Sequence, residues 1–551
     1  MMKRLFFPII LLLCFCACSN EDEVKDLERQ IKEQEELNDR LRKEQEEAKK
    51  KQEELERENE EKRRQAEELE RQNNTPRLTA FELFVRDNPL QLVENATCEI
   101  IGDSVVECWV SNIMNSKTLV PHFEYTGESI SFDGHQVESG VTAIDFRKPV
   151  TVKLSNRGYT SQYTVYVHAY TGLPMVWLET EKRANISTMN WNYTASFKLV
   201  EDVRTRAPGD IIEEKIKVMA ADSVKWYNSK VYPDRQIAKN ALLLTFNSPI
   251  SLLDAPKNND WKLYPNDKDN TMIRTQTGMY MSRLSKLDFT PRYHFVELML
   301  NGVYYGTYML GDLIENSSNR VALGIDGYLL KIDSRTSIPH FSIPTVEQPI
   351  SIISPVTKSG EAEYLYLRNL LDEFENVLNS SAFTSTVGWQ KYLDADSFVD
   401  YYLINEIAKN EAAAFQSNCY IHFKRGEKMK MGPLFTFENA FGRGSDSSTS
   451  GFVVKKAKWY DRLFQDPAFV TLVKDRYAHF YAHKEDIIAE IEANAKYLKY
   501  AVQENDAKWD VFATSKTSGQ KTSALYDKEI QSLEKWVGER MDWLNKALGD
   551  M

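Results

Sequence analysis

The sequence predicts a multidomain chain in three parts: an α-helical, coiled-coil-like stalk, an all-β sandwich of immunoglobulin-like type, and a large α+β domain. Three observations predict it. Residues 22–73 are almost wholly Glu, Lys, Arg and Gln, with no Gly or Pro, which is a helical composition. From about Leu78 to Tyr170 the apolar period falls to two, and Gly, Asp and Asn turns separate short runs. Beyond Met175, strand-like runs alternate with long apolar helix faces. A chain of 551 residues exceeds one core, so two or three domains are expected. The net charge of −12 argues against a general nucleic-acid binder.

Residues 1–17 read as an export signal. Lys3 and Arg4 supply the basic start, and Phe6 to Phe15 an apolar core too short to stay in a bilayer as a permanent helix. Cys16-Ala17-Cys18 resembles a bacterial lipobox, which makes Cys18 the lipidated residue. The acidic run Ser19-Asn20-Glu21-Asp22-Glu23 resembles the surface-export signal of Bacteroidetes lipoproteins. The expectation is a lipid anchor at Cys18 in the outer membrane, with the chain exposed at the cell surface.

Residues 18–74 form the stalk. Val24, Leu27, Ile31, Leu41, Ala48, Leu55, Ala66 and Leu69 fit a heptad. Gln34, Asn38, Gln45, Gln52, Asn59 and Lys62 hold the other seam positions. Two readings stay open: a weak coiled coil making an oligomer through residues 22–73, or a solitary helix held by Glu-to-Lys/Arg pairs four residues apart. Either is a rod of about 75 Å that lifts the rest of the chain off the membrane.

Residues 75–174 form the sandwich. Phe81-Leu83-Val85, Val105 to Val110, Ile144-Phe146, Val150-Val152-Leu154 and Tyr163-Val165-Val167 are its strand-like runs. Cys98 and Cys108 flank the Gly102-Asp103-Ser104 turn, where they form either a cross-hairpin disulfide or two small core residues. No cluster of His, Asp or Glu stands out here, so a spacer or adhesion role is expected. The Asp145-Phe146 and Gly172-Leu173-Pro174 segments resemble accessory β-domains of Bacteroidetes surface lipoproteins.

Residues 175–551 are organised around Tyr401–Gly442. Tyr401, Leu403, Ile404, Ile407 and Ala408 lie at helical spacing. Cys419 to Phe423 is a strand, Lys424 to Glu427 a turn, and Met429 to Phe437 the expected return strand, ending at Glu438. With Asn405-Glu406-Ile407, Asn410, Tyr420, Gly432-Pro433 and Phe435-Thr436-Phe437-Glu438, this stretch resembles the signature of the CotH family of spore-coat-type atypical protein kinases. The resemblance continues through Ser251-Leu252-Leu253, Asp269 to Arg274, the Asn301-Gly302 hairpin, Gly327 to Asp333, Arg462-Leu463-Phe464 and the closing apolar helix face from Tyr526 to Leu548. It implies a kinase-like fold using ATP and Mg²⁺.

The departures strike the chemistry. The family's acid after Asn410 falls on Ala412-Ala413-Ala414, leaving Glu411 as the acid at hand. Its D-F-D is Thr436-Phe437-Glu438, so Glu438 is the one remaining metal candidate. Its glycine-bearing phosphate turn falls on Ile216 to Ser223, with no glycine. Lys239 and Arg274 survive as cations able to face an anion, the cofactor-binding candidates. Asn410, Glu411 and Glu438 are the catalytic candidates. The expectation is a pseudokinase, a binding or structural protein with no cofactor and a protein or glycan partner; the alternative is an active ATP-dependent kinase acting outside the cytoplasm. His479 and His483 are four apart but lack the Glu of a zinc protease between them.

Overall fold

The computed structural model describes residues 21–92, 95–111, 118–189, 193–202, 211–221, 227–228, 236–237, 239–334, 338–512 and 520–551. The export signal, Cys18, Asp222-Ser223 and Ala238 lie outside the described residues. Among the described residues no helix is long and apolar enough to cross a membrane.

The chain divides into two compact units. One holds the stalk helix Glu21–Asn74 with Tyr125–Ser131 and Lys153–Ser161. The helix is uninterrupted because nothing in it breaks a helix, and its side chains from Lys25 to Asn73 stay exposed. Within this unit its end is tied down by polar contacts: Asn156 Nδ2 donates to the Asn74 carbonyl at 2.9 Å, Ser161 Oγ to the Pro76 carbonyl at 2.6 Å, and Arg77 N to Thr126 Oγ1 at 2.8 Å.

The other unit comprises Leu78–Glu124, Phe132–Val152 and Gln162–Met551. Its first part carries the hairpin Thr97–Ile101 and Val105–Ser111, where Cys98 stands opposite Cys108 and the two sulfurs are bonded. Val105–Ser111 then pairs in parallel with Thr164–Tyr170, inside a six-stranded sheet. Two short two-stranded pairs accompany that sheet.

The strand Tyr159–Tyr170 runs on through Thr171-Gly172-Leu173-Pro174 into Met175–Thr180, the first strand of a closed seven-stranded barrel. Around the barrel follow Tyr193–Val200, Ile211–Ala220, Leu242–Ile250, Asn258–Tyr264, Val303–Gly311 and Tyr293–Leu300. Val176, Leu178, Phe197, Val218, Leu244, Leu263, Leu298 and Leu310 fill it. The Asn301-Gly302 turn joins the last two strands with positive φ at both residues (53° and 71°), as a tight hairpin of matching twist requires.

A second, five-stranded sheet runs in the order His340–Phe341, Ile350–Ser354, Gly327–Ile332, Cys419–Lys424, Lys430–Met431. Helices pack against it in one continuous core. The central helix starts earlier than the apolar spacing marks, at Ala395, where the Asp394 carboxylate accepts from Ser397 N at 2.9 Å. The return strand is a correction to the sequence reading: it ends at Met431, not Phe437. Gly432 takes φ 104° and Pro433 has no N–H to give a ladder, so 432–437 leaves the sheet. The closing helix Thr522–Gly549 buries the expected face: Tyr526, Ile530, Leu533, Val537, Met541, Leu544 and Leu548.

Candidate functional site

Where barrel and five-stranded sheet meet, a cavity of about 810 Å³ opens. Barrel strands supply Leu243, Lys262 and Tyr264; the following segment supplies Pro265, Asp267 and Lys268; the sheet supplies Lys331 and Tyr420. Phe435, Thr436, Glu438 and Lys239 also line it.

Local chemistry explains why Thr436 and Glu438 arrive there. Phe437, between them, is fully buried; its N–H donates to Thr275 Oγ1 at 3.1 Å, and its ring lies on Gly278 of the helix Arg274–Arg283. A Cβ at Gly278 would come within 2.3 Å of that ring, so only glycine permits the approach. With Phe437 pointing into the core, its neighbours face the cavity.

Glu438 is half-buried there and its carboxyl is pushed up to about 7. Burial is the main cause; Asp267 and Asp269 add to it, while Lys268 and Lys262 oppose it. Lys239 is buried and pushed down to about 8, chiefly by burial, with Asp267 and Glu297 opposing. Its Nζ donates to Asn505 Oδ1 at 2.7 Å and lies 5.3 Å from the Tyr308 ring centre. Lys262 sits over the Tyr264 and Phe435 rings, at 4.7 and 6.0 Å. Lys331 pairs with Asp333 at 2.9 Å.

The other sequence candidates have commitments outside the cavity lining. Arg274 is held by Asp269: Nη1 to Oδ1 at 2.5 Å, with the Arg274 backbone N–H on the other carboxylate oxygen at 2.9 Å. That carboxylate also accepts from Thr271 N and Oγ1, so Asp269 organises the start of the helix and neutralises Arg274. Glu411 Oε1 accepts from Ser445 N at 2.7 Å and Ser445 Oγ at 2.6 Å. Asn410 Nδ2 donates to Asn405 Oδ1 at 3.1 Å and to the Thr436 carbonyl at 3.4 Å, bracing the segment before Glu438. His479 and His483 are engaged with the carbonyls of Leu284 and His479.

Of the candidates, the cavity therefore brings Lys239 and Glu438 together. It adds Lys262, Asp267 and Lys268, which the sequence reading passed over, and Lys331, which it did not rank among the site candidates. A signal was present: Asp267-Lys268 directly precedes the Asp269–Arg274 motif, and Lys331 stands where the CotH pattern has an acid.

The lining carries four lysines against two carboxylates, Asp267 and Glu438, with Lys331 already paired to Asp333; this balance leans toward an anionic ligand. It suits Mg²⁺ poorly. That ion prefers several carboxylate oxygens, and here Thr436 offers only a neutral hydroxyl beside Glu438 and Asp267. Among the described residues no three His, Cys, Asp or Glu side chains gather into a metal-holding group.

No curated protein matches the chain. A solved structure from Bacteroides thetaiotaomicron VPI-5482, provisionally named a glycoside hydrolase, is similar at 14% identity and a TM-score of 0.17, over 52% of this chain and 80% of that one. A likeness at that level transfers neither fold nor activity. The family model described as CotH kinase protein matches residues 234–544, which include the cavity's Lys239-to-Glu438 lining and most of the closing helix, and the chain belongs to the CotH family.

Proposed function

We propose that this CotH-family chain is a pseudokinase: a surface lipoprotein that binds an anionic partner, protein or glycan, in the kinase-like cleft without transferring phosphate. One observation carries the reading. The positions where phosphoryl transfer needs a base and metal carboxylates are filled by Ala412–Ala414, by neutral Thr436 and by a half-buried Glu438, while four lysines line the cleft. The lipid on Cys18 anchors the chain at the outer-membrane surface, the stalk lifts it, and the immunoglobulin-like β-domain is a spacer.

The test is the melting temperature of the whole chain with and without ATP and Mg²⁺. A ligand at a hundred times its Kd adds about 2.7 kcal/mol to the folded state. The expected result is no Mg²⁺-dependent rise, with an active CotH kinase rising in parallel. A clear rise would favour the second reading, ATP-dependent phosphorylation of extracytoplasmic proteins. That reading has in its favour that Lys239, Asp267 and Glu438 line one cavity. Phosphate transfer lost in Glu438→Ala would establish it. Anchoring has its own check: labelled fatty acid enters the wild-type chain and not Cys18→Ser.

A further inference from the structure

The stalk helix leaves an apolar stripe uncovered. Leu27, Leu41, Leu55 and Leu69 recur every fourteen residues, and each is 46–59% exposed. With Leu27 at heptad position d, Ala48 fills the same position between Leu41 and Leu55. Val24, Ile31, Asn38, Gln45, Gln52, Asn59, Ala66 and Asn73 then fall at a. A chain needing only a rod has no reason to repeat leucine in this register.

The flanking charges say what covers the stripe. In a parallel two-stranded coil, position g of one helix faces position e of the next heptad on its partner. Three successive heptads place Glu44 against Lys49, Lys51 against Glu56, and Glu58 against Arg63 of a second copy. These three pairs are opposite in sign, and the one like-charged pair of this register, Glu23 against Glu28, lies at the start of the helix. Antiparallel packing with full overlap faces e with e and g with g; it sets Arg42 beside Lys49 and Glu35 beside Glu56, like charge on like, which offsets its opposite pairs Glu28–Arg63 and Glu44–Lys51. The seam amides agree with the parallel arrangement: an Asn at a meets its own counterpart only when the helices are parallel and in register, and such a layer selects two strands. Lys62, the one charge at d, is drawn off the seam by Glu58, with Nζ 2.5 Å from Oε1.

Pairs within the single helix do not supply the same order. Arg29–Glu33, Lys49–Glu53 and Arg63–Glu67 span 3.3 to 3.8 Å, with every side chain at least half exposed. Each is worth a few tenths of a kcal/mol, and none requires leucine at d.

We propose that the stalk joins two copies of this chain as a parallel, in-register, two-stranded coiled coil. Sedimentation equilibrium of the purified whole chain, density-matched for bound detergent, reads the mass. The expected value is twice the mass of one chain, read for the same preparation in denaturant. Glu44→Lys with Glu58→Lys makes two of the three facing pairs repulsive and weakens association on the order of tenfold or more. Adding Lys49→Glu and Arg63→Glu restores those pairs and recovers the dimer. If only intrahelical pairs mattered, that second change would do further harm, since Lys49 and Arg63 would lose Glu53 and Glu67. For register, Asn38→Cys cross-links to itself on oxidation, giving a dimer band above that of the unsubstituted chain. A monomer at all concentrations, a larger oligomer, a dimer indifferent to the charge reversal, or a dimer without the Asn38→Cys band would each overturn the proposal.

Discussion

Glu297 is a fully buried carboxyl. It accepts from Tyr304 OH at 2.6 Å, Thr171 Oγ1 at 3.0 Å and Thr307 Oγ1 at 3.4 Å, and burial still pushes it up to about 7. An unfolded Glu titrates near 4.5, so the folded chain holds this proton more tightly. The contribution is fully present below pH 4.5 and is lost as pH rises toward 7, roughly 3 kcal/mol in all. Glu297→Gln should flatten that fall, read as the melting temperature from pH 4.5 to 8 against wild type. Gly278→Ala should cost about 1–3 kcal/mol by forcing Phe437 aside, read by denaturant unfolding. Single residues also mark the limit of reading a sequence. Arg274 and Glu411 are charges of the right type near the right motifs. Which charge a cleft receives depends on who else is within 3 Å, and Asp269 and Ser445 claim these two. Glu438 reaches the cavity because Phe437 beside it is turned into the core, which no local pattern of charges reports.

At the scale of elements, the loop from Arg443 to Val453 has little regular structure and is nonetheless pinned along its length. Lys409 Nζ meets Asp446 Oδ2 at 2.5 Å and the Ser448 and Ser450 carbonyls, both at 2.9 Å. Glu411 holds Ser445, Trp536 Nε1 the Ser447 carbonyl, and Arg540 the carbonyls of Thr449 and Gly451. Arg540 also pairs with Glu406 at 2.8 Å, both fully buried. Arg540→Ala should cost about 3–5 kcal/mol, because it strands the Glu406 charge, and should open the 443–453 loop to proteolysis. The closing helix was legible from its apolar period, but that period gave no sign that Arg540 shares the buried face with Val537 and Met541. The Asn301-Gly302 hairpin was legible because its turn chemistry is local. The return strand was overrun because β-propensity alone carries Leu434 to Phe437 past the Gly432-Pro433 stop.

At the scale of the molecule, the order of parts followed from composition and period, while the way the accessory sheet meets the barrel did not. Trp109, Tyr170, Met175, Val200, Met299 and Tyr304 form one apolar cluster across that junction. The His168 ring stacks on Trp109 at 4.6 Å and pairs with buried Glu107 at 2.5 Å. These contacts join residues far apart in sequence, which no local pattern reports. Trp109→Ala should cost about 3–5 kcal/mol and split a single calorimetric transition of sheet and barrel into two. The junction has a mechanical side as well. The strand that leaves the accessory sheet for the barrel lies alongside Val105–Ser111 over seven paired residues. Tension drawn along that strand loads those hydrogen bonds in shear, so they must fail together rather than peel one by one. A barrel pulled away along that strand would therefore keep its accessory sheet folded at forces that would unzip a hairpin.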